Sequence, residues 1–192
     1  MNTEKKALLS VSYPYESVSK NQCSTEKNEL ELYFLILDCL SIHGAIIVYD
    51  HICNLNKDSQ FILYYNTLEE ALIYRIMMGL SKLFENSGKA RTCMRVINAI
   101  EQKQQFKLNK IIGEAISRIH IIVKQFQETY NLHDLRDSFF GHLDNEMSIS
   151  TLRFHLKLNY YDELQLLLFQ LVERLVDLYN LCFPEYKIIL LS

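Results

Sequence analysis

The chain predicts an all-α fold, an antiparallel helical bundle of about five to six helices with a short extended connector before the last. Three observations predict it. Only two Pro and five Gly occur in 192 residues, so long helices meet few breakers. Apolar residues recur at steps of three and four from about residue 30 onward. One stretch alone, 152–159, alternates apolar and polar with period two. The length suits one domain that can bury a sizeable core.

The elements follow in order. Residues 1–25 are rich in Ser, Asn and Lys without a period, and are expected to be a loosely ordered arm on a bundle domain at 26–192. Leu35, Cys39, Ile42, Ile46, Tyr49 and Cys53 mark a first long helix. Phe61, Tyr65, Leu68, Leu72, Ile76, Leu80 and Leu83 mark a second, broken at Gly88 in "ENSGK". A shorter helix is expected over 90–103. Leu108, Ile112, Ala115, Ile119, Ile122 and Phe126 mark the next. In "LRFHLKLN", Leu152, Phe154, Leu156 and Leu158 face one way while Arg153, His155, Lys157 and Asn159 face the other. Leu164, Leu168, Leu171, Leu175, Leu178 and Cys182 mark the last helix, which Pro184 ends. The stripes are wide, as in a bundle.

The charge is uneven. Formal net charge is -3, which is no global nucleic-acid signature. Residues 26–70 nevertheless carry eight acids and two bases, and 82–118 carry eight bases and three acids. Solvated helix faces explain such a split, and so does a basic strip for a phosphate backbone. Five Cys without a CxxC speak against a disulfide framework and for a reducing cytoplasm. The apolar core of "KKALLSVSY" is too short for a signal peptide. Leu32–Tyr49 is apolar enough to suggest a membrane span. It carries Asp38 and His43 near its middle, and a central Asp costs about 3 kcal/mol on insertion. A buried core helix is the expected reading, with no membrane partner.

Candidate chemistry narrows quickly. Cys39 and His43 sit four apart, but no second pair converges with them, so Cys39 and Cys53 read as core thiols and no metal site is expected. His120 lies beside an apolar stripe and reads as packed or half-exposed. No glycine-rich phosphate loop and no G-x-S-x-G is present. What remains is "LRDSFFGHLD", residues 135–144. On a continuous helix Leu135, Phe139 and His142 share a face, so a satisfied histidine at the end of an apolar stripe is one reading. Arg136 would lie about 120° around the helix from His142 and about 9 Å along it. If the two form one site, a bend at Gly141 or a second copy across a two-fold axis must complete it.

The stretch resembles the signature of the HEPN superfamily, an Arg, then a polar residue, then a His after four to six intervening residues. Here Arg136 is followed by Asp137, and five residues separate it from His142. "FFGHLD" is similar to the ending common in the abortive-infection, AbiU-like branch, and this brings in Asp144. "IYRIMMGLSKLFE", 73–85, resembles another segment of the same branch, and the likeness extends over about 28–182. Two departures stand out. Gly141 replaces the usual Ala, and Asp144 occupies the place of the Tyr that toxins paired with a nucleotidyltransferase often carry.

The resemblance implies a metal-independent endoribonuclease without cofactor, serving as a toxin or phage-defence effector. His142 would move the proton of the attacking 2′-hydroxyl or the leaving 5′-oxygen, work suited to an imidazole of ordinary pKa, about 6.5. Arg136 would stabilise the extra negative charge on phosphorus. Asp137 or Ser138 would orient the His or the ribose. Arg153, His155 and Lys157, with part of the 82–118 run, would frame an RNA groove. The cleft is expected at a homodimer interface, and an antitoxin protein is a possible partner. The rival readings are a non-catalytic HEPN-like module that binds RNA, nucleotide or protein, and a structural dimer with Arg136 paired to Asp137 or Asp144.

Overall fold

The computed structural model describes residues 8–10, 23–55, 61–84, 92–130 and 161–191. Six helices are present among them: α1 (Cys23–Asn54), α2 (Ile62–Phe84), α3 (Cys93–Glu101), α4 (Gln104–Lys107), α5 (Lys110–Tyr130) and α6 (Tyr161–Cys182). They pack as a bundle around α1, which lies against α2, α3 and α6, while α5 closes on α6 and α3. Three pairs are antiparallel. Asp38 meets Lys82 and Tyr49 meets Glu69 between α1 and α2. Glu29 meets Tyr179 and His43 meets Phe169 between α1 and α6. Ile111 and Leu181 line one groove between α5 and α6, near the start of one and the end of the other.

Local chemistry sets several boundaries. Thr92 caps α3, its hydroxyl accepting from the Arg95 amide at 3.2 Å. The Asn109 side chain accepts from the Ile111 amide at 3.0 Å and so caps α5. α6 stops at Cys182, two residues before Pro184, as expected. Gly88 and the 152–159 connector lie outside the described residues. Leu8–Ser10 (β1) pairs antiparallel with Ile189–Leu191 (β2), so part of the expected arm is tied to the far end of the chain. Three residues are too few to show a period, so the sequence carries no signal for either strand.

The last helix buries its predicted stripe: Leu164, Leu168, Leu171, Leu175 and Leu178 have no exposed surface. α1 buries Leu35, Cys39, Ile42, Ile46 and Tyr49, and Cys53 is half-buried. Lys27–Asn54 is long and apolar enough to cross a membrane by composition, yet half of that window is buried against the other helices. Two stripes are corrected. In α5, Leu108 is 94 % exposed, just before the helix begins. The buried row is Ile112, Ile116, Ile119, Val123, Phe126 and Tyr130. Phe61, just before α2, is exposed, and the buried row of the helix runs Glu69, Ile73, Ile76, Leu80 and Leu83. The first two turns of α2 extend past its packed half, and Phe61, Ile62, Leu63 and Tyr64 are all more than half exposed.

α1 and α2 approach closely at Gly79. A Cβ there would lie 2.5 Å from Ile42 Cγ1 and 2.7 Å from Cδ1. Alanine normally gains about 1 kcal/mol over glycine inside a helix. Here overpacking should outweigh that gain at about 1–3 kcal/mol, so Gly79→Ala should lower the urea midpoint. Gly44→Ala, in open space on α1, should raise it instead. Equal shifts of the two variants would remove the close contact as the reason for glycine at 79.

Candidate functional site

All the site residues that the sequence points to lie outside the described residues: Arg136, Asp137, Ser138, His142, Asp144, Arg153, His155 and Lys157. The structure describes the frame on either side of them. α5 ends at Tyr130, which is 3 % exposed. Its hydroxyl pKa is pushed up to about 12, first by burial and then by the charge of Glu163 in the first turn of α6. The two points where the frame meets 131–160 are therefore close enough to interact through charge. Beside them Phe126 stacks on Phe84 at 4.4 Å between ring centres, and Gln127 donates to the Phe84 carbonyl at 3.3 Å. The end of the 73–85 stretch thus abuts the last turns of α5, directly before the segment that carries "LRDSFFGHLD".

Two bases of the 82–118 run pair with acids of α1. Lys82 pairs with Asp38 at 3.3 Å and Arg95 with Glu31 at 3.2 Å. These bases cross-link α2 and α3 to the acidic α1, so part of the charge asymmetry is helix-to-helix complementarity. Such half-exposed pairs fix register more than they add stability. Lys110 lies 4.0 Å from Glu114 in an exposed pair along α5. Lys89 and Arg91 lie outside the described residues.

α2 also buries a carboxylate, Glu69. Glu69 is 4 % exposed and accepts hydrogen bonds from the Tyr49 hydroxyl and the Cys53 thiol, both at 3.4 Å. Its signal was present, since Glu69 stands in phase with Ile73, Ile76, Leu80 and Leu83 on the buried face. A buried carboxylate is costly unless several donors meet it. His120 is half-buried, and its Nε2 is shielded without a hydrogen-bond partner among the described residues.

Among the described residues no group of three or more His, Cys, Asp or Glu is placed to hold a metal ion. Cys39, Cys93 and Cys182 are buried free thiols. Burial, followed by the nearby Cys93 and Asp38, raises the Cys39 pKa well above 9.0. Burial also pushes Cys93 and Cys182 up to about 12. These thiols and Tyr130 stay neutral in the folded chain to a higher pH than in the unfolded one. Stability should be full below about pH 9 and fall as pH rises towards 12. His43 supplies the opposite limb, because burial holds its imidazole below 6.5. That contribution is present above pH 6.5 and lost as pH falls through the folded value. Urea midpoints at about pH 5, 7.5 and 10.5 should peak at the middle value, and a flat profile would contradict both limbs.

Together the frame defines a class, a helical bundle whose Arg–polar–His segment is inserted between its last two long helices. Comparison with family models makes the assignment specific: residues 50–184 match the AbiU2 model of HEPN domains. The chain belongs to the AbiU2 family, an abortive-infection branch of the HEPN superfamily. The match spans well over half of the chain, from the last turn of α1 through Pro184, and includes 131–160. Comparisons with curated proteins and with solved structures give no match.

Proposed function

We propose that this protein is a metal-independent endoribonuclease acting as a toxin or phage-defence effector, with a composite Arg–His site between two copies of the chain. The observation that carries the reading is the AbiU2 match across 50–184, which takes in the full Arg136–His142 spacing. The reaction needs no cofactor. The 2′-hydroxyl oxygen attacks phosphorus, its proton passes to a base, the P–O5′ bond breaks, and the leaving 5′-oxygen takes up a proton. The products are a 2′,3′-cyclic phosphate and a 5′-hydroxyl. His142 handles a proton and Arg136 holds the phosphoryl oxygens as negative charge builds. Asp137 and Ser138 orient the imidazole or the ribose. Asp144 and the polar edge of Arg153, His155 and Lys157 contact the RNA. A reducing cytoplasm is the proposed setting, and a cognate antitoxin is a proposed partner.

The test is purified protein with total RNA, with and without chelator, followed by analysis of the product ends. Cleavage that survives chelator and leaves cyclic phosphate supports the reading. Intact RNA with a pure dimer moves the protein to the rival class, a non-catalytic HEPN module that binds RNA, nucleotide or protein.

A further inference from the structure

At the opposite end of α5 from Tyr130, a groove of about 500 Å³ runs between α5 and α6. Its apolar lining is Ile111, Ala115 and Leu181, with Ile111 63 % and Leu181 42 % exposed. Arg118, Arg174 and Lys187 also line it, from three different elements. Arg174 is paired with Asp177 at 3.2 Å, which largely neutralises both. Glu114 lies 4.0 Å from Lys110. Arg118 and Lys187 have no ion-pair partner among the described residues, and they leave the groove with a positive excess.

The position of Lys187 is built in. Asn180, on the last turns of α6, donates from its amide to the Ile188 carbonyl at 3.0 Å and accepts from the Ile188 amide at 2.9 Å. This two-way clamp folds the chain after Pro184 back along α6 and fixes the backbone that carries Lys187 at the groove. The β1–β2 ribbon holds the chain immediately beyond. Arg118 lies twelve residues before Tyr130, about 18 Å of helix.

We propose that this groove is an accessory site for single-stranded RNA, with Arg118 and Lys187 each taking a phosphate and a base resting on Ile111 and Leu181. The proposal rests on the ribonuclease reading for its choice of RNA. Two cations on different elements beside an exposed apolar surface suit a strand that carries both phosphate charge and base faces. A free phosphate would use the cations and leave the apolar surface idle.

The test measures binding of a fluorescein-labelled uridine 20-mer by anisotropy, over a range of salt, in the His142→Ala full-length chain so that cleavage does not intervene. Arg118→Glu with Lys187→Glu should weaken binding by about 10-fold or more and flatten the salt dependence by about one to two counterions. Ile111→Ser with Leu181→Ser should weaken binding with little change in salt slope. All four positions are on the surface, and unchanged urea midpoints would confirm that the variants fold. Unchanged affinity in the charge-reversed variant overturns the proposal. So does binding of uridine monophosphate or inorganic phosphate as tight as that of the 20-mer. The ribonuclease reading is scored separately on wild-type protein. Cleavage with no groove effect sinks only the groove, and groove-dependent binding without cleavage sinks only the nuclease.

Discussion

Replacing His142 or Arg136 by alanine should reduce RNA cleavage by at least about 100-fold, while the urea midpoint stays near the wild-type value. The two measurements together separate a reactive site from a structural role. A histidine that transfers a proton must meet the substrate, so its loss should cost activity and leave packing intact. A histidine that merely completes an apolar face should instead cost about 1–3 kcal/mol of stability when removed. Arg136→Lys sharpens the distinction. It keeps the charge but loses the planar fork that can hold two phosphoryl oxygens, so activity should remain badly impaired. If both alanine variants cleaved at wild-type rate, the catalytic assignment would be wrong. If stability and activity fell together, His142 would be a core residue.

Phe126→Ala should give the largest loss of stability, about 3–5 kcal/mol, because a fully buried aromatic leaves a cavity that its neighbours fill only in part. Phe126 has no exposed surface, stacks on Phe84 at 4.4 Å and lies 5.9 Å from Tyr130. It joins α2 to the end of α5, next to the segment that carries the Arg–His pattern. Against a total of about 5–15 kcal/mol for a domain, that loss brings the chain close to unfolding. Ile121→Ala is the control on the same helix. Ile121 is 67 % exposed, and its removal should shift stability by no more than about 0.5 kcal/mol. Comparable losses for the two variants would mean that α5 packs on a different face. Cleavage by Phe126→Ala should fall in step with the folded fraction, unlike cleavage by His142→Ala.

The order of residues along the chain was enough to specify the helical class, the course of α1 and α6, and the stop before Pro184. Periodicity reports these because both helices bury long stripes in which one register is strongly preferred. It also displayed the spacing of Arg136, Asp137 and His142, which is a property of the chain and needs no coordinates. The packed structure, by contrast, fixes the phase of α2 and α5. Their apolar surfaces are wide enough that rows one residue apart fit the spacing equally well, and only the neighbouring helices select Ile73 over Leu72 and Ile116 over Ala115. It alone placed Glu69 beside Tyr49 and Cys53, twenty and sixteen residues away. It also paired the basic stretch with the acidic first helix through Lys82–Asp38 and Arg95–Glu31. These partners are distant along the chain, and periodicity within one helix carries no record of what another helix brings to it.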